Sequence, residues 1–301
     1  WPSIPVFLWG RFMRWRFVGA AIGVLMMLTN VADAAVIGGS SSSSFLTADL
    51  TVAAIVSADV DIGPSISGTA PLAYDLNAPL VDVAADAGVA ATITLVDVNA
   101  TSVAASASST VDGGFGSRNA VGAQSFQGFD LSIGVLPDII APPTIVPDVI
   151  SITAEAITVT STVDGDFGAL ASAGTLNVTN LQVFANGNLV ATLNGDISEN
   201  FNVVGLSTAL AGATLTLNQQ PSLTGDGASS RGLVTNAINL NLNDVNAGGV
   251  GLLSGDVLVG MTGASLNASA VPEPSSLAIF GLASVGGVFW RRRRRVASPR
   301  S

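Results

Sequence analysis

Carboxylates set beside glycine are the side chains of this chain best placed to do chemistry. Asp164-Gly165-Asp166, Asp59-Val60-Asp61 and Asp112-Gly113-Gly114 each offer oxygen ligands that a calcium ion could take. Asp164 and Asp166 form the pair expected to hold such an ion. An EF-hand loop beginning at Asp164 would need a ligand at its fifth position, glycine at its sixth and glutamate at its twelfth. Those places hold Gly168, Ala169 and Thr175, so the expected site is a looser one in a β loop. The competing reading is that aspartate precedes glycine because the pair makes tight turns. Asp59 and Asp61, two apart on an expected strand, would then simply share the solvent face. Two carboxylates can also hydrolyse a glycoside. Asp196 and Glu199, three apart after Gly195, are the close Asp/Glu pair that could attempt it. Aromatic platforms and neighbouring cations are scarce, so the chain reads as no enzyme.

Missing residue types narrow the chemistry further. There is no cysteine, hence no disulfide, thiolate nucleophile or zinc–thiolate centre. Histidine is absent, which removes the usual general base and the commonest transition-metal ligand. Lysine is absent too, and with it Schiff-base and Ser-Lys chemistry. All four tryptophans (Trp1, Trp9, Trp15 and Trp290) lie near the ends of the chain. Between Ala35 and Ser276 stand two basic residues, Arg118 and Arg231, against twenty carboxylates, a net charge of −18. Phosphate neutralisation needs cations, so this composition excludes nucleic acid as a partner. It favours solubility and a diffuse attraction for divalent cations.

The elements that must carry these residues are strands. Apolar and polar residues alternate through Leu50–Ile62, Thr92–Asn99, Ser125–Ile133, Ile150–Val163, Thr175–Phe184, Leu189–Leu193, Thr214–Asn218, Ala237–Asp244 and Asp256–Met261. Almost no 3.6-residue period competes with them. Asn186-Gly187 falls between two runs and signals a hairpin, because both residues tolerate positive φ. One unit repeats: Ser109-Thr110-Val111-Asp112-Gly113-Gly114-Phe115-Gly116 returns 52 residues later as Ser161-Thr162-Val163-Asp164-Gly165-Asp166-Phe167-Gly168. A fainter third copy is Leu223-Thr224-Gly225-Asp226-Gly227. The expectation is an all-β fold, an antiparallel β-sandwich built from repeated hairpin units, with a β-helix or solenoid as the alternative.

Composition shifts mark the boundaries. Residues 1–34 comprise an upstream stretch and a secretory signal peptide: Met13, Arg14 and Arg16, then an apolar run of 12 residues from Phe17 to Leu28. Ala32 and Ala34 flank Asp33 as a small-x-small cleavage site, predicting a mature start near Ala35. Residues 35–135 form a first β half, 136–148 a proline-rich connector and 149–268 a second β half. Residues 271–301 form a tail. There Val271-Pro272-Glu273-Pro274 precedes an uncharged apolar stretch, 275–290, which runs into Arg291, Arg292, Arg293, Arg294 and Arg295. As a helix its 16 residues reach about 24 Å, short of the ~30 Å hydrocarbon core. Such a transmembrane helix suits temporary residence, with the arginines as a cytoplasmic stop and the body on the far side.

Motif, helix and arginine cluster together resemble a PEP-CTERM sorting signal. The resemblance implies that an exosortase, a membrane transpeptidase-like protease, cuts near Pro-Glu-Pro and passes the protein to the envelope exterior. The implied partners are exosortase and the secretion machinery, with the inner membrane occupied only before processing. The second half, from Ile152 through Asn236-Ala237-Ile238 to Gly255-Asp256-Val257-Leu258-Val259-Gly260, is similar to the choice-of-anchor P family of exported bacterial β proteins, although cysteine-containing members differ from it. That likeness implies a surface location and no defined activity. The function expected is a structural or adhesive protein of the cell surface, extracellular matrix or biofilm, in contact with exopolysaccharide. The alternative is a calcium-dependent polysaccharide-binding module.

Overall fold

Alternating burial along each strand organises the chain into two antiparallel sheets. The computed structural model describes residues 34–270 apart from 53–55, 89–92, 115, 138–148, 222 and 247–250. The expected signal helix and C-terminal transmembrane helix lie outside these residues. Contacts divide the chain into a compact unit, Ala35–Ser269, and a second unit made of Trp1–Ala34 with Ala270–Ser301.

One sheet contains β1 (Ala34–Val52), β2 (Val56–Ile62), β3 (Ile66–Thr69), β10 (Phe201–Asn202), β11 (Ala213–Gln219), β12 (Leu223–Thr224), β13 (Ser230–Asn246) and β14 (Leu252–Ala270). Its main order is β10-β11-β13-β14-β1-β2, with β3 paired to β1 and β12 to β13. The other sheet is a meander in chain order: β4 (Tyr74–Gly88), β5 (Ile93–Ser109), β6 (Arg118–Pro137), β7 (Ile150–Asp166), β8 (Ala169–Ala185) and β9 (Asn188–Ile197). Among the described residues neither sheet closes into a barrel. The antiparallel pairings and open sheets answer to the sandwich, not to the stacked rungs of a solenoid. A six-residue helix, α1 (Val204–Ala209), buries Leu206 and packs on β8, β9 and β11.

Inner faces of both sheets meet in one core. Leu131, Ile152, Ile157, Val159 and Leu176 from the meander pack with Phe45, Leu215, Leu217, Leu240 and Val259 from the other sheet. Phe45 stands edge-on to Phe126 at 5.4 Å between ring centroids and to Phe129 at 6.4 Å. Such edge-to-face pairs contribute about 0.5–1.5 kcal/mol beyond their buried area.

Phe126 and Phe129 are three apart, yet both are buried, because the meander carries a crease. In β5 the buried positions alternate through Val96, Val98 and Ala100, with Leu95 buried beside Val96, and then through Val103, Ala105, Ala107 and Ser109; β6, β7 and β8 switch parity in the same way. The switch follows one transverse row: Asp82 and Thr101 between the pairs Val81–Ser102 and Val83–Ala100, Gly128 and Glu155 between Gln127–Ala156 and Phe129–Ala154, and Asn180 beside Asn194. Asp82, Gly128 and Asn180 have φ of 55°, 58° and 48°. This left-handed geometry bends the strand; the β4–β5 and β6–β7 registers run through the row unshifted, and only between Val178 and Leu181 does β8 shift register against β9. Without it a one-residue slip would turn half of each strand's apolar side chains to water. Asn180 secures the crease: its N–H donates to Asn194 Oδ1 at 2.6 Å and its Nδ2 to Glu155 Oε1 at 3.3 Å.

A polar seam separates this core from a second apolar cluster formed by Val36, Ala70, Val111, Ala120, Val163, Leu170, Leu233, Ala264, Leu266 and Ala268. In the seam, Ser161 Oγ lies 2.8 Å from Thr235 Oγ1 and 2.9 Å from Thr262 Oγ1, all buried. Gln124 is oriented so that its amide nitrogen donates to the Ser44 carbonyl at 2.9 Å and its oxygen accepts from Phe45 N–H at 3.3 Å. Glycine lets the sheets approach here: a Cβ on Gly122 would meet the Ser42 carbonyl and the Gly263 backbone. The single tyrosine guards the seam's rim, Tyr74 Oη donating to the Gly68 carbonyl at 2.8 Å.

Candidate functional site

The repeated Asp-Gly units gather at one end of the body. The first joins β5 to β6 and the second joins β7 to β8. Antiparallel register brings them side by side, Arg118 opposite Gly165 and Asn119 opposite Asp164. The third, Gly225–Ser229, leads from β12 into β13 and docks on the second. Gly168 N–H donates to the Ala228 carbonyl and Leu170 N–H to the Gly227 carbonyl, each at 2.8 Å. Both ends of the compact unit emerge here as well. Ser40 Oγ and Ser265 Oγ meet at 2.8 Å across the neighbouring β1 and β14, with Gly38 beside Asn267. Ala268 N–H donates to the Ser229 carbonyl at 2.7 Å, sewing the end of β14 to the third loop.

The aspartates at this end do different work. Asp226 Oδ1 accepts from the N–H groups of Ser229 at 2.7 Å, Ala228 at 2.9 Å and Ser230 at 3.1 Å, while Oδ2 accepts from Ser229 Oγ at 2.9 Å. Those backbone donors, Ser229 first, hold its carboxyl well below the usual carboxylate range. Asp112 Oδ1 accepts from Gly114 N–H at 2.8 Å and from Arg118 Nη2 at 2.8 Å. The Gly114 N–H and the Arg118 guanidinium lower its carboxyl too, the N–H being the larger cause. Both carboxylates are consumed as turn clasps. The body's other arginine, Arg231, reaches Ser172 Oγ with Nε at 3.1 Å.

The calcium pair sits at the end of β7. Asp164 is exposed and Asp166 half-buried, with Asp166 Oδ1 accepting from Phe167 N–H at 2.8 Å. Among the described residues no three histidine, cysteine, aspartate or glutamate side chains converge on a point that could hold a metal ion. Asp59 and Asp61 both face solvent on β2, and Asp59 lies directly opposite Asp49 of β1. Asp196 accepts from Asn177 Nδ2 at 2.7 Å and Glu199 from Asn200 Nδ2 at 3.2 Å, so each carboxylate is held by an amide. The clasp at Asp226 had one sequence signal, the faint third copy of the Asp-Gly unit. The seam of Ser161, Thr235 and Thr262 had none, since hydroxyls at buried and exposed strand positions read alike.

The sorting residues Val271, Pro272, Glu273 and Pro274, the arginines 291–295 and Ala32 lie outside the described residues. Ala34 is the first residue of β1, and the compact unit starts at Ala35. Among the described residues no helix is long and apolar enough to cross a membrane. No curated protein and no solved structure matches the chain. Residues 270–294 match a family model described as the PEP-CTERM protein-sorting motif; the match begins on the last residue of β14 and stops at Arg294. The chain therefore carries a PEP-CTERM sorting signal, which implies an exported protein with a C-terminal membrane-anchoring signal, processed by exosortase.

Proposed function

We propose that this protein is a structural or adhesive component of the cell envelope or extracellular matrix, released from its membrane signal by exosortase at Pro272-Glu273-Pro274. The observation that carries the reading is the sorting motif at residues 270–294. Its support from the body is chemical. A chain without histidine, lysine or cysteine has few means of catalysis, and two carboxylates at the Asp-Gly end, Asp112 and Asp226, are engaged as clasps. No activity as an enzyme is assigned to it. A body of the choice-of-anchor P kind, with exopolysaccharide as its surroundings, belongs to the same reading.

Intact-mass measurement of protein recovered from the native cell surface tests this. The expected species begins near Ala35 and lacks the residues after Pro-Glu-Pro; full-length chain accumulating in the cytoplasm would overturn it. Glu273→Ala should leave unprocessed precursor in the membrane fraction.

A second reading, a calcium-dependent polysaccharide-binding module, is favoured by the three Asp-Gly loops standing together at one end. Melting and calorimetry with calcium and with chelator separate the two readings. A rise in Tm with calcium that Asp164→Asn abolishes supports the second, and no response to either removes it.

A further inference from the structure

The tether between the folded body and the apolar stretch of the sorting signal is very short. β14 ends at Ala270, and four residues, Val271 to Pro274, separate it from the apolar stretch. Fully extended, they span about 14 Å. A membrane protease that cuts there must work directly against a folded sheet. β14 is central to that sheet, between β13 and β1; its pairing with β13 runs to Asn267, and Ala268 N–H then donates to the Ser229 carbonyl.

The interior at this end is built differently from the main core. Leu266 and Ala268 of β14 belong to the small cluster with Val36, Leu170 and Leu233, and the hydroxyl seam at Thr262 divides them from the large cluster. Opening this end would expose a few aliphatic side chains, whereas opening the main core would expose three phenylalanines and its many buried aliphatics. Regions with few buried apolar contacts open at lower free energy than the whole domain.

We propose that this end opens as a unit of its own, so that Ala264–Ala270 peels from β13 and β1 while the main core stays folded. Seven further residues lengthen the tether to about 38 Å and present the Pro-Glu-Pro motif to the protease. The inference rests on the exosortase reading for its purpose and on the two-cluster interior for its mechanism.

Hydrogen exchange on the full-length chain in detergent tests the mechanism. Amides of residues 264–270 and 36–40 should exchange at least about tenfold faster than those of 215–217 and 257–259. Leu266→Ala should speed exchange at this end alone, whereas Leu240→Ala should speed it throughout. Uniform exchange, or a global response to Leu266→Ala, overturns the proposal.

A reversible lock tests the purpose. Ser230 pairs with Asn267, and the neighbouring Ser229–Ala268 pair carries a hydrogen bond, so Ser230–Asn267 is a non-hydrogen-bonded pair with its side chains close. That spacing suits a disulfide. In this cysteine-free chain Ser230→Cys with Asn267→Cys would give a single defined crosslink. Expressed beside exosortase, the oxidised variant should be processed at least about tenfold more slowly than the reduced one. Equal rates sink the proposal. If the wild-type chain is not cut at all, the processing reading fails instead, and hydrogen exchange alone decides the separate opening.

Discussion

The two apolar clusters of the body are made from the same strands and still differ in kind. The large one is filled by leucine, isoleucine, valine and three interlocked phenylalanines drawn from both sheets. The small one holds no aromatic ring, and four of its ten members are alanine. Between them the strands bring hydroxyls and glycines inward, which draws the sheets together but buries little apolar area. One continuous pair of sheets can thus carry a strong interior and a weak one, and the weak one lies where the chain enters and leaves.

The largest contrast should come from truncating the ring cluster. Phe126→Ala is expected to cost about 3–5 kcal/mol, measured as a loss of urea midpoint for the entire unit. If it cost no more than Leu266→Ala, the distinction between the clusters would collapse. At the seam, Gly122→Ala drives a methyl into the Ser42 carbonyl, and overpacking of this sort costs about 1–3 kcal/mol. A neutral result there would mean that the sheets can separate freely at the seam.

Acid should reach the loop end first. Asp226 has its carboxyl depressed in the fold, so it contributes stability above the ordinary value of 3.8, lost as pH falls through the lower folded value. Asp112, also depressed, acts with the same sign. Asp226→Asn should therefore flatten the decline of Tm below about pH 4. An unchanged acid limb would detach this carboxylate from the stability of the end. The smallest effect is expected on the exposed face of the same sheet, where β1 pairs with β2. Relieving the direct Asp49–Asp59 opposition with Asp59→Asn should stabilise by about a few tenths of a kcal/mol at low salt, fading as salt is added.

Much of the fold was written in the alternation, and the exceptions have physical causes. The runs from Ile150, Thr175 and Asp256 became β7, β8 and β14 because apolar residues recur there every second position. Asn186-Gly187 formed its hairpin turn with φ of 49° and 75°. The run Leu50–Ile62, in contrast, spans a hairpin, its first residues closing β1 and its last forming β2. The serine tract 40–44 gave no strand signal, since Ser41 and Ser43 are buried without being apolar. Helix α1 escaped notice because six residues around one buried leucine are too few to show a period. Of the candidate site, the sorting motif was legible as a linear pattern that needs no partner in space. The gathering of three Asp-Gly loops where the compact unit begins and ends was not, because strand order decides which turns share an end.

Pro79 stands within β4, an outermost strand of the meander, opposite Ala104. Prolines in edge strands turn their missing donor toward solvent, so a strand arriving from a neighbouring molecule would find its ladder one bond short. For an exported protein, each open sheet edge is a border at which a second copy could pair. At this border, at least, the chain is built to be concentrated without becoming a fibre.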